Sequence, residues 1–306
     1  MRKVIITGPT GTIGSAMCDL LTRNKINVYA ICRKGSKNIA NLVTSPYLHI
    51  IECDISSLLS LEGKIPSNVD AFYHLAWNGT IGDARNLIDI QLSNVKYSID
   101  AVTLAKNLNS KVFIGAGSQA EYGIFNEPAD EKVPTNPVTL YGAAKLSAGN
   151  LTRVYAKSLG LKHIWARIFS VYGPNDDEKT LISYVINKLK SDETPEVTEC
   201  NQIWDYLYSY DAAKALLLLA DKGMDSKIYS VGSGQKVKLK RYADAIKNII
   251  NPNISINFGA KKYSPNQVMF LSANIDDLVK DTGFHPRYSF TEGIAEILNN
   301  KRGEKY

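Results

Sequence analysis

The stretch that most constrains the fold lies at the amino end, where Lys3-Val4-Ile5-Ile6-Thr7 runs into Gly8-Pro9-Thr10-Gly11-Thr12-Ile13-Gly14. A short β-branched run closed by glycines, then Met17, Leu20 and Leu21 at helical spacing, reads as strand, tight turn and helix. The three glycines carry separate tasks. Gly8 permits the turn, Gly11 lets a pyrophosphate approach the backbone at the helix N-terminus, and Gly14 lets the helix lie close on the strand. The spacing is G-x-x-G-x-x-G and departs from the G-x-G-x-x-G fingerprint. Thr10, Thr12 and Ile13, between the glycines, are expected to contact the same nucleotide.

Further strands are expected at Asn27 to Cys32, Leu48 to Cys53, Ala71 to Ala76, Lys111 to Gly115 and His163 to Phe169. Helical patterns lie between them, a long one from about Ala84 to Leu108 and another from Tyr141 to about Lys157. This alternation predicts an α/β, Rossmann-like doubly wound parallel sheet with a smaller C-terminal lobe. We assign residues 1–173 to the nucleotide-binding domain, with 204–232 returning to it, and 174–203 and 233–306 to the lobe. The second strand ends in Arg33-Lys34-Gly35-Ser36-Lys37, where such a sheet meets the adenosine ribose. An arginine there suits a 2′-phosphate, so NADP is favoured over NAD. His74, inside an apolar strand, is expected to be a packed core residue, and Glu121 a solvated loop carboxylate.

Chemistry enters with Tyr141 and Lys145, four residues apart and so on one helix face. A tyrosine hydroxyl is a poor acid or base at neutral pH, but a cation one turn away favours the phenolate and proton exchange with a substrate oxygen. Ser118, in the polar loop Gly117 to Gly123 after the fifth strand, is placed to meet that oxygen at the carboxyl edge of the sheet.

Composition narrows the partners. Among 306 residues the net charge is +6, spread without a basic stripe, which fits an anionic small molecule better than nucleic acid. The start reads as a strand rather than a signal peptide, and the longest apolar run, Ala215 to Ala220, is too short for a bilayer, so a cytoplasmic protein without membrane contact is expected. Cys18, Cys32, Cys53 and Cys200 show no Cys-x-x-Cys pairing, and we expect buried free thiols and no metal site. Lys301 and Arg302 read as a solvated tail.

Together these residues make the chain resemble an extended short-chain dehydrogenase/reductase of the nucleotide-sugar epimerase, dehydratase and 4-ketoreductase branch. The resemblance spans nearly the whole chain and rests on Gly8/Gly11/Gly14, Asp54, His74-Leu75-Ala76, Asn94, Ser118 with Tyr122-Gly123, Tyr141/Lys145, Arg167 with Val171-Tyr172-Gly173-Pro174, Trp204-Asp205-Tyr206 ahead of Asp211, Val231-Gly232-Ser233-Gly234 and Gly283-Phe284-His285-Pro286. It implies that Tyr141 exchanges a proton with the sugar oxygen, that Lys145 lowers the tyrosine pKa and binds the nicotinamide ribose, and that Ser118 bonds the same oxygen. It also implies cofactor contacts from Asp54, Ile55, Leu75, Ala76 and Asn94, substrate contacts from Trp77, Gln119, Ser170 and Trp204, and a homodimer formed through helices near 84–108 and 139–157. Dehydratases of this kind carry an Asp-Glu pair where this chain has Gln119 and Ala120, which argues against dehydration. Ser170 and Trp204 replace an Asn and an Arg common in the family, with Lys261 or Lys262 as candidate substitutes for the lost phosphate contacts. The expected reaction is NADPH-dependent reduction of a nucleoside-diphosphate 4-keto-6-deoxyhexose; the alternatives are an NAD-dependent 4-epimerase and a non-catalytic NADP sensor.

Overall fold

The computed structural model describes residues 1–264 and 267–299; Lys301 and Arg302 lie outside them. Six strands form in sequence, β1 (Lys3–Thr7), β2 (Asn27–Cys32), β3 (Leu48–Glu52), β4 (Ala71–His74), β5 (Val112–Ser118) and β6 (Lys162–Ile168), with helices α1 (Thr12–Arg23), α2 (Ile88–Asn107) and α3 (Leu140–Ser158) among them. The chain continues through β7 (Ser170–Tyr172), α4 (Leu181–Lys190), β8 (Glu196–Val197), β9 (Ile203–Trp204), β10 (Tyr206–Tyr208), α5 (Ser209–Lys222) and β11 (Ile228–Val231). It ends with β12 (Val237–Lys238), α6 (Leu239–Ile250), β13 (Asn257–Phe258), β14 (Phe270–Leu271), α7 (Asp276–Thr282) and α8 (Phe290–Asn299).

The main sheet has seven strands in the order β11-β6-β5-β4-β1-β2-β3, every pair parallel. A parallel sheet must be covered on both faces, and alternate residues of β1 divide accordingly. Val4 and Ile6 pack with Met17 and Leu21 of α1 and Leu216 of α5, while Ile5 packs with Val102 and Leu104 of α2 and Ala156 of α3. Strand order reverses between β1 and β4, which opens a crevice at their carboxyl ends. A separate apolar cluster joins Tyr172, Val185 and Ile186 to Tyr242, Ile246 and Ile294. Asp205, fully buried, ties the strands around it by accepting from the Ser233 amide and hydroxyl and from the Gly234 and Ala273 amides.

Two sequence expectations need adjusting. The helix expected from Ala84 begins at Ile88, because Gly79 and Gly82 adopt left-handed backbone (φ 69° and 59°) and a short 3-10 turn, Gly82–Asn86, precedes it. Strand β5 does not stop at Gly115: it stays paired to β6 through Gly117 and Ser118. Its glycines leave room for Trp165 of β6. A Cβ on Gly115 or Gly117 would lie 2.3 Å from the indole, and one on Gly149 of α3 2.7 Å from it.

Trp165 is only 1% exposed, so its ring has little freedom to retreat. Gly115→Ala is therefore expected to overpack the site and cost about 1–3 kcal/mol, read as a lower urea midpoint at unchanged slope; an unchanged midpoint would show that the indole has another resting place.

Candidate active site

A cavity of about 970 Å³ runs along the crevice, from the end of β2, over the glycine turn, to Tyr141 at the start of α3. The turn that forms its floor is shaped as the sequence predicts. Gly8 has φ 70° and its Cβ would strike the Ala76 amide at 2.7 Å, while a Cβ on Gly14 would lie 2.2 Å from the Gly8 carbonyl oxygen. Gly11 meets no other atom nearer than 3.8 Å, so bare backbone faces open space there. Gly11 also caps α1 without any side-chain acceptor, leaving the helix's first amides for a ligand. This cradle fits a dinucleotide pyrophosphate. Asn41 steadies it by donating to the Thr10 carbonyl (3.1 Å), and Thr12 donates to the Asn175 carbonyl (3.1 Å).

At the outer end Arg33, Ser36, Asn38, Asp54 and Ile55 line the cavity. Asp54 caps the turn after β3; the hydrogen bond from the Ser56 amide, with a smaller contribution from Arg33, holds its carboxyl below the usual range. Leu75, Ala76 and Trp77 line the middle.

Ser118 ends β5 near enough to Tyr141 to pull its pKa down. Glu121 contradicts the expectation of a solvated carboxylate. It is fully buried, because the capping box opened by Ser118 folds it back beneath the strand end. There it accepts from the Ser118 amide (2.8 Å), the Trp165 indole (3.0 Å) and the Arg167 guanidinium (2.7 Å). Three donors offset the desolvation that one isolated carboxylate would suffer.

Lys145 is 4% exposed, donates to the Ala116 carbonyl at 2.7 Å and lies 3.8 Å over the Trp77 ring. Burial pushes its pKa down to about 7, against a smaller upward pull from Glu121. Tyr141 is half-buried; desolvation raises its pKa, while Ser118 and then Arg85 pull it down. Arg85 lies 4.5 Å from the centre of the Tyr141 ring and Lys145 5.9 Å, so the nearer cation is one that sequence reasoning missed.

The loop between β4 and α2 carries Trp77 and Arg85, and buried amides of α2 hold it. Gln91 accepts from the Trp77 indole (2.9 Å) and donates to the Gly79 and Ala84 carbonyls. Asn94 grips both backbone groups of Asn78 and does not line the cavity. Two buried amides three residues apart on an otherwise apolar helix face were the available signal for Gln91.

Ser118, Lys145 and Gln119 are not among the residues that line the cavity, while Ser170 and Trp204 bond each other (2.8 Å). Lys261 and Lys262 are exposed, the former over the Tyr184 ring. His74 is a core residue as expected, bonded to Thr7 (2.9 Å) and Ser98 (3.2 Å), with burial lowering its pKa to about 3. Cys18, Cys32 and Cys200 are buried free thiols; Cys53 is half-buried. Among the described residues no helix is long and apolar enough to cross a membrane, and no group of three potential metal ligands clusters.

Residues 4–232 match the NAD dependent epimerase/dehydratase family. Over 301 residues the chain is 28% identical to the CDP-abequose synthase of Salmonella typhimurium, covering 96% of this chain and 97% of that one. It is 25% identical to a putative UDP-glucose 4-epimerase of Methanocaldococcus jannaschii, covering 97% of each. Among solved structures, the UDP-N-acetylglucosamine 4-epimerase of Methanobrevibacter ruminantium in complex with UDP-N-acetylmuramic acid superposes with a TM-score of 0.87 at 25% identity, over 97% of this chain and 98% of that one.

The depressed pKa of Lys145 has a measurable consequence for the free protein. Between about 7 and the unfolded-state value of about 10.4, the unfolded chain holds a proton that the folded chain has released, so stability rises with pH in that window. Below about 7 both states are charged and the burial cost is present in full. Denaturation of wild type against Lys145→Met from pH 6 to 10 is expected to show a rise of up to ~1.4 kcal/mol per pH unit that the variant lacks; parallel curves would contradict it.

Proposed function

The chain belongs to the NAD dependent epimerase/dehydratase family, and we propose that it reduces the C4 keto group of a nucleoside-diphosphate 4-keto-6-deoxyhexose with NADPH. The observation that carries this reading is Tyr141 lining the inner end of a cavity whose floor fits a dinucleotide pyrophosphate. Ser118 orients the carbonyl oxygen by a hydrogen bond, and Tyr141 gives it a proton as the C4 carbon becomes tetrahedral. The glycine turn would hold the pyrophosphate of NADPH and Arg33 its 2′-phosphate, and the cofactor would supply the hydride. Lys145 and Arg85 oppose the charge left on the phenolate. A synthase of a CDP-linked sugar among the relatives supports the substrate class, and the product would serve deoxysugar or surface polysaccharide synthesis. Gln119 and Ala120 offer no acid–base pair for eliminating water.

The cofactor preference rests on the end of β2, where Cys32-Arg33 brings a cation and no carboxylate to the cavity rim. A second reading, an NAD-dependent 4-epimerase, is favoured by the likeness to the Methanobrevibacter enzyme over nearly its full length. Leu92, Leu151 and Val154, at 59%, 49% and 64% exposed on α2 and α3, support a homodimer through these helices.

Tyr141→Phe is expected to lower keto-sugar turnover by about 10²–10⁴-fold while NADPH affinity stays nearly unchanged; a fully active variant would sink the mechanism. Fluorescence titration should show NADPH bound more tightly than NADH, with Arg33→Ala weakening NADPH alone by roughly tenfold. Stoichiometric NAD released on denaturing the purified protein would instead support the epimerase.

A further inference from the structure

Arg85 has no place in the sequence motifs. Its guanidinium carbon nevertheless lies 4.5 Å from the centre of the Tyr141 ring, nearer than the Lys145 amine at 5.9 Å. It is half-buried and has no carboxylate ion-pair partner among the described residues. Its setting is built. Gln91 holds the Ala84 carbonyl at 2.9 Å, and the Asn86 side chain accepts from the Leu140 amide at 3.4 Å, so residues on both sides of Arg85 are tied to α2 and α3. Trp77, fixed by the same Gln91, meets the Tyr141 ring edge-on at 6.1 Å between centroids.

We propose that Arg85 is a positioning residue for Tyr141: it fixes the ring by stacking on its face and supplies the positive charge that the phenolate needs once its proton has left. The proposal rests on reading Tyr141 as the proton donor. In that step the hydride would come from NADPH, whose own C–H bond breaks as it is oxidised to NADP+; the new bond forms at the sugar C4, the carbonyl π electrons move to oxygen, and the Tyr141 O–H proton joins that oxygen, leaving a phenolate that water later reprotonates. The charged and titratable groups facing Tyr141 are Arg85 from the loop, Lys145 from its own helix, and Ser118 and Glu121 from the end of β5. Glu121 opposes the phenolate. Burial among backbone and indole lowers the Lys145 pKa to about 7, so that amine is only partly charged near neutrality, whereas a guanidinium stays charged at every working pH. Arg85 is then the cation present throughout.

Because Tyr141 is one of seventeen tyrosines, the test places 3-fluorotyrosine at position 141 of the full chain and follows its ¹⁹F signal against pH. Arg85→Met and Arg85→Gln are each expected to raise the titration midpoint by about 1 pH unit, and Arg85→Lys to restore most of the difference. A purely structural role would leave the lysine variant as shifted as the neutral ones. An unmoved midpoint in both neutral variants overturns the proposal. The readout needs no substrate, so its failure is separable from that of the function: a shifted midpoint without turnover of any keto-sugar keeps Arg85's role and defeats the reductase reading. Turnover with an unmoved midpoint does the reverse.

Discussion

A buried carboxylate holds the reaction end of this protein together. Glu121 gathers the Ser118 amide, the Trp165 indole and the Arg167 guanidinium onto its two oxygens, and so joins the end of β5, the turn after it and the neighbouring strand β6. The pair with Arg167 is nearly solvent-free, 4% and 1% exposed in its side chains. Such a pair adds little net stability over an apolar one, but loss of either partner strands the other charge. Its value is geometric. Arg167 also lies over the Tyr122 ring at 4.6 Å, so the guanidinium fixes the far side of the same turn, and the Ser118 amide is held by a carboxylate that two other donors keep in place.

From that anchor the site divides along the crevice by solvent access. Its outer end, at Arg33 and Asp54, is exposed and polar, so charges there remain partly hydrated. Its inner end is drier, where desolvation governs the ionisation of Tyr141 and Lys145. Electrostatic interactions strengthen in that direction, so a hydrogen bond at the inner end carries more weight than one at the rim.

Local constraints were legible in the sequence. Much of the glycine turn is specified within itself, since Gly8 adopts left-handed backbone and Gly14 is kept free of a side chain by the Gly8 carbonyl. The alternation of apolar runs gave the parallel sheet, and the spacing of Tyr141 and Lys145 gave their shared helix face. What escaped depends on contacts far apart in sequence. Glu121 reads as solvated until Trp165 and Arg167, 44 and 46 residues later, fold over it. The Ser170–Trp204 bond joins two positions separately expected to touch substrate, and nothing local predicts that each answers the other. Arg85 lay in a segment read as helix; the left-handed glycines that break it and the Gln91 amide that gathers the loop bring it over Tyr141.

The loop between β4 and α2 therefore carries the same structural weight as α3. A buried amine such as Lys145 is costly to keep charged, and its partners, the Ala116 carbonyl and the Trp77 face, come from two different strand ends. Trp77 can serve only if its indole is held at a fixed height, which the Gln91 bond accomplishes, while Asn94 closes the backbone at Asn78. The two side chains of α2 thus govern Lys145 and Tyr141 without touching either, through Trp77 on one side and Arg85 on the other. Both amides lie on the buried face of α2, so the packing of this helix reaches the site through the loop residues that they hold.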